Sequence, residues 1–183
     1  MKKYFLFAVV ATIAVLSTGC FATTSGTTSA TKGRTKIETP LSDAKYMSDQ
    51  NYFRVVELGV SPDLSAALKT ARINARTELA ATVETAVKAV ITSYTQSTAT
   101  QAESLYEGLA TNVVNNKLSG AIEIAKEAYQ TEDGRYEYYV CFELSKQELK
   151  DALANEMAND ATLKAQFDRE RFMDTYNREL ANY

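Results

Sequence analysis

From Leu64 to Gln96 the chain contains neither proline nor glycine, and alanine is dense along it. Leu64, Leu68, Ala71, Ala75, Leu79, Val83, Val87, Val90 and Tyr94 recur at steps of three and four, the spacing of one face of an α-helix. Such a helix spans about 50 Å at about 1.5 Å per residue. A strand of ordinary length cannot cover it. The spacing therefore predicts a long amphipathic helix that breaks, or projects from the body, in the polar stretch Thr92–Thr100. Its alanines allow close approach to a sheet or to another helix. The run Gly59-Val60-Ser61-Pro62-Asp63 supplies a start signal: a capping serine, a proline for the first helical position and an acid for the positive helix terminus.

The remaining patterns place strands around this helix. Asn51–Val60 alternates, with Tyr52, Arg54, Val56, Leu58 and Val60 on one side and Phe53, Val55, Glu57 and Gly59 on the other. A second helix is expected over Ala102–Lys117 with Leu105, Leu109 and Val113 aligned. Ile122 and Ile124 then alternate with Glu123 and Ala125, and Asp133-Gly134 is a hairpin turn signal. The return strand sets Tyr136, Tyr138, Val140, Phe142 and Leu144 on one face, with Tyr139 and Cys141 on the other. Ser145-Lys146-Gln147-Glu148 reads as a capping box that opens a helix carrying Leu149, Leu153 and Met157. A last helix from about Asp160 carries Leu163, Phe167, Tyr176 and Leu180. The order β-α-α-β-β-α-α predicts an α+β fold, a three-stranded, largely antiparallel sheet covered by the long alanine-rich helix.

Composition removes several function classes. The 183 residues include no histidine. Ser-His-Asp and Cys-His catalysis, and histidine metal ligation, are thereby excluded. The formal net charge is −3, and loss of Lys2 and Lys3 would leave 18 basic against 23 acidic side chains. A mildly acidic chain without a Lys/Arg block is a poor nucleic-acid binder.

The two lysines precede an uncharged run, Tyr4–Leu16, too short to span a bilayer and of the length of a secretory h-region. Ser17-Thr18-Gly19-Cys20 then resembles a lipobox, with serine where leucine is commonest and Leu16 one position earlier. Residues 1–19 are expected to be a lipoprotein signal peptide and Cys20 the lipidated N-terminus. A single acyl chain anchors marginally, whereas two or three make release rare. Residues 20–45, rich in Thr, Ser and Gly, read as a flexible tether reaching roughly 25–30 Å. Phe21 is not aspartate, so the expected location is the outer membrane, facing the periplasm. An α+β domain over 46–158 and a C-terminal amphipathic helix over 159–183 complete the expected organisation.

The Ala-x-x-x-Ala-Arg-x-Asn-Ala-Arg-x-Glu-Leu-Ala character of Ala67–Ala80 and the hairpin Asp133–Leu144 resemble the bacterial twenty-kilodalton lipoprotein family. The domain of that family is related to the N-terminal module of flagellar assembly protein T. The resemblance covers roughly Phe53–Leu149 and implies an envelope-associated α+β domain, with no catalytic residues to carry over.

Candidate binding residues come from two helices. Arg72 and Arg76, with Asn74 and Glu78, could form a polar surface on the long helix, or a solvated face with short-range ion pairs. Phe172 and Tyr176, with Phe167 and Met173, give the last helix more aromatic surface than its length requires, either to pack on the domain or to receive a partner. Glu132, Asp133, Glu137 and Glu143 fit the outer face of a hairpin better than calcium or acid–base work. Cys141 reads as a buried strand residue. No catalytic, cofactor-binding or metal-binding residues are expected. The functional expectation is a non-enzymatic envelope lipoprotein, held to the membrane through Cys20, that binds or scaffolds another envelope component. The alternatives are a carboxylate-based enzyme acting on wall or glycan, and a structural subunit that self-associates.

Overall fold

The computed structural model describes residues 37–181 and 183. The expected signal segment, Cys20 and most of the expected tether lie outside the described residues. The compact unit begins at Glu38 and contains β1 (Tyr52–Ser61), α1 (Leu64–Thr98), α2 (Glu103–Ser119), β2 (Ile122–Gln130), β3 (Tyr136–Ser145), α3 (Lys146–Asn159) and α4 (Arg169–Leu180). The sheet is antiparallel in the order β1-β3-β2. The fold class and element order are those read from the sequence.

Helix α1 lies across the sheet face that carries Phe53, Val55, Phe142 and Leu144. Its seating is set by Gly59. A Cβ there would lie 2.3 Å from the Ala67 carbonyl oxygen and 2.3 Å from the Ala71 nitrogen. Backbone meets backbone, so the residues of α1 that face β1 must be small. Ala67, Ala71 and Ala75 are fully buried. Leu64, expected in the same stripe, is 44% exposed. Close approach, not hydrophobicity, chooses the buried residue in the first turn.

The helix is unbroken through the polar stretch and ends only at Ala99, which adopts φ 51° as a left-handed cap. It outruns the sheet, and the overhang is sheathed by α2 and α4. Tyr94 is the centre of that second cluster. Its ring meets Tyr106 at 5.4 Å, Phe172 at 5.6 Å and Phe167 at 5.9 Å, and its hydroxyl accepts the Asp168 N–H at 2.9 Å. The demand of Tyr94 for an aromatic partner explains a shift in α2. Tyr106, Ala110, Val113 and Val114 are buried there, while Leu105 is 48% exposed.

Four further details differ from expectation. Asp63, not Ser61, caps α1, accepting the Ala66 N–H at 2.8 Å, while Ser61 accepts the Asp63 N–H. A β-bulge between Glu123 and Ala125 breaks the alternation of β2, sending Glu123 to the helix side and Ala125 to the face shared with Cys141. Residues 161–166 form turns, and α4 starts after the Asp168 cap, whose side chain accepts the Arg171 N–H. Helix α4 joins the common core through Phe172, Tyr176 and Leu180, so 159–183 belongs to the same domain. The expected tether boundary also moves. Leu41 is buried and a 3-10 turn, Ala44–Tyr46, lies in the compact unit, so folded structure begins before residue 46.

Candidate binding surfaces

Three polar residues of the Ala67–Ala80 motif, Arg72, Asn74 and Arg76, hold helix to sheet, while Glu78 is exposed. Arg72 donates from Nε and Nη2 to the two carboxylate oxygens of Glu123 on β2, at 2.6 and 3.2 Å, and this pairing holds the Glu123 carboxyl below its ordinary range. Asn74 Nδ2 donates to the Leu58 carbonyl on β1 at 2.8 Å. The Arg76 guanidinium stacks over the Phe142 ring at 4.6 Å. Arg72 and Arg76 thus lie one turn apart on α1, each tied to the sheet.

Phe172 and Tyr176 are not a surface. Phe172 is fully buried against Tyr94, and Tyr176 is 2% exposed with its hydroxyl donating to the Lys146 carbonyl at 2.9 Å. Burial pushes the Tyr176 hydroxyl pKa up. The aromatic excess of the last helix is core, because the overhanging end of α1 needs covering. The four candidate residues therefore form no common patch: two clamp the helix to the sheet, and two fill the interior.

Two cations at the sheet ends carry more structure than their sequence context suggests. Arg54 donates to Glu143 at 2.9 Å, to Asp49 at 2.6 Å and to the Met47 carbonyl at 3.0 Å. That bonding holds the Asp49 carboxyl below its ordinary range. Lys146 is 4% exposed, its Nζ donating to the Tyr183 main-chain oxygen at 2.9 Å and lying 4.8 Å from the Phe53 ring. Desolvation lowers the pKa of its amine. The strand register that joins Arg54 to Glu143 was the missing information, since the hairpin pattern alone does not say which strand neighbours β3.

Several carboxylates of the hairpin have internal partners. Glu143 is bound by Arg54, Asp133 by Arg135 at 2.8 Å, and Glu127 accepts the Tyr129 hydroxyl at 2.6 Å. Among the described residues, no group of three or more Cys, Asp and Glu side chains is placed to hold a metal ion. A groove of about 300 Å³ between α1 and α2 has an apolar floor of Val87, Ile91, Ala110 and Val114 and carries Glu84, Lys88 and Glu107.

The sheet face opposite α1 differs in kind. Register places Arg54, Val56, Leu58, Tyr139, Cys141 and Ala125 together on it. Residues 39–48 lie along its β1 side, where an open hollow of about 540 Å³ is lined by Val56, Leu58 and Tyr139. Its β2 side exposes Ile122 at 61% and Tyr129 at 45%. Cys141 is fully buried in the middle, and burial pushes its thiol up to about 11. A thiol so held is protonated at neutral pH and unreactive.

The fold and these surfaces define a two-layer α+β domain with an overhanging helix. No protein-family profile, characterised protein or solved structure matches the chain.

Proposed function

We propose that this chain is a lipid-anchored protein of the bacterial envelope, outer-membrane and periplasm-facing, whose folded domain binds or scaffolds another envelope component without catalysing a reaction. The observation that carries the reading is the position of Cys20, directly after a short apolar run and small residues, and eighteen positions before the compact unit begins at Glu38. Acylation at such a cysteine tethers the domain to a bilayer surface through a short Thr/Ser/Gly-rich stretch. The likeness of Ala67–Ala80 to the twenty-kilodalton lipoproteins supports the same reading. So does the chemistry of the domain: Arg72, Arg76, Asp133 and Glu143 serve internal contacts, while exposed apolar side chains lie along β2.

The test is crosslinking in intact cells from a photoreactive residue at Ile122, on the exposed side of the sheet, with a control at Lys164. One stoichiometric envelope partner captured from Ile122 and not from Lys164 supports a binding module. Capture of the chain itself alone makes it a self-associating subunit, and glycan without protein contradicts the non-enzymatic reading.

A further inference from the structure

The two edges of the sheet are finished differently. The outer edge of β1 is closed by neighbouring segments. Asp49 accepts the Tyr52 N–H through Oδ1 at 2.9 Å and donates its own N–H to the Tyr52 carbonyl at 3.0 Å. Ser48 Oγ accepts the Arg54 N–H at 3.0 Å and donates to the Arg54 carbonyl at 3.2 Å, and Asn74 donates to the Leu58 carbonyl. The main-chain groups of Arg54 therefore face away from β3, and in an antiparallel ladder those of its opposite residue, Glu143, face β2. Cys141, Tyr139 and Glu137 follow by alternation. Their partners Ala125, Glu127 and Tyr129 turn inward, which leaves the N–H and C=O groups of Lys126, Ala128 and Gln130 on the outer edge of β2. Among the described residues, nothing bonds to them. The side chains there are exposed as well, because α1 lies over β1 and β3.

An open, regular edge of this kind is a template for another strand. The bulge that would blunt it lies at the other end of β2, at Glu123–Ala125. The order of side chains along the edge is self-complementary. We propose that β2 pairs antiparallel with β2 of a second copy of this chain, about a twofold axis at Ala128, so that two sheets become one. In that register Ala128 meets Ala128 and Lys126 meets Gln130, as narrow pairs that exchange both main-chain bonds. Glu127 meets Tyr129, a carboxylate and a hydroxyl that already bond within the chain at 2.6 Å. No like charges stand opposite each other. A twofold at Lys126 would set lysine against lysine, and one at Glu127 glutamate against glutamate, both unfavourable. A twofold at Tyr129 would shorten the pairing to residues 128–130, since β2 ends at Gln130. Ile122 lies outside the paired stretch. The inference goes beyond the binding reading above and does not rest on it or on Cys20.

Cysteine placement reads the register. In the full chain carrying Cys20→Ser, held in detergent, Cys141 is buried and an added edge thiol is the accessible one. Narrow antiparallel partners lie about 5.5 Å apart at Cα, within disulfide reach. The two copies of residue 126 lie about 14 Å apart in the proposed register, as do those of residue 130, beyond that reach. Under a copper oxidant, Ala128→Cys should form a disulfide-linked dimer at least tenfold faster than Lys126→Cys or Gln130→Cys. An equal mixture of the Lys126→Cys and Gln130→Cys chains should form the mixed dimer at least tenfold faster than either chain links to itself. Association through the apolar run Tyr4–Leu16 would raise all of these rates alike, so the comparison between positions removes it. Ala128→Cys that stays monomeric overturns the pairing. Rates that do not favour residue 128, or a mixture that links no faster than its components, overturn it as well.

Discussion

At Gly59 the chain has no room for one more carbon, and the consequence is large. Gly59→Ala would press a methyl group into the backbone of α1, so the helix must shift away from β1. A loss of about 3 kcal/mol is expected, the upper range for overpacking, measured as a lower urea midpoint at unchanged slope. Gly108 is the control. It lies inside α2 with nothing within 4 Å of an added Cβ, so Gly108→Ala should raise stability by up to about 1 kcal/mol. The sequence showed that alanines line this helix but not which of them touch the strand, since an alanine carries almost no hydrophobic signal of its own. Charge can be followed at the same scale. Glu123 and Asp49 are held below their ordinary values of 4.5 and 3.8 by Arg72 and Arg54. Their pairing stabilises the fold above those values and is lost as the pH falls through the lowered ones. The urea midpoint should therefore hold from neutrality to about pH 4.5 and then decline. Arg72→Gln should remove part of that decline, a change of at most about 1 kcal/mol because the pair is partly exposed.

At the scale of elements, α1 is longer than its sheet and the fold is arranged around the excess. Helices α2 and α4 bury Val87, Val90, Ile91 and Tyr94, and Phe172 is the aromatic contact from α4 to Tyr94. Phe172→Ala should cost about 3–5 kcal/mol in urea unfolding, as for a buried aromatic, whereas a surface role would leave stability unchanged. The end of α1 offers a gain. Ala99 bears a Cβ at φ 51°, where glycine is unstrained, so Ala99→Gly should stabilise by roughly 0.5–1 kcal/mol in a thermal melt. Periodicity and turn chemistry made α1, the Asp133-Gly134 hairpin and the Ser145 cap of α3 legible. The bulge at Glu123–Ala125, the late start of α4 and the shifted face of α2 were not, because each answers to a partner distant in sequence. Glu123 follows Arg72, and Tyr106 and Phe172 follow Tyr94.

At the scale of the whole molecule, the domain is a sheet with one face committed to helices and the other half-covered by the segment that leads in from the N-terminus. No described helix is long and apolar enough to cross a membrane, and the attachment proposed above is through Cys20. The proposed anchor rests on a local pattern of residue types alone. The early start of the folded unit was not legible, because Thr, Ser, Asp and Lys around Leu41 read as tether until the sheet face beside them is known. The most direct test of the account is the mass of the N-terminal peptide of the protein extracted from cell membranes. A peptide that begins at Cys20 and carries a diacylglyceryl group, with Cys20→Ser released from the membrane fraction, is the predicted result. An unmodified Cys20, or membrane retention that survives Cys20→Ser, would contradict it.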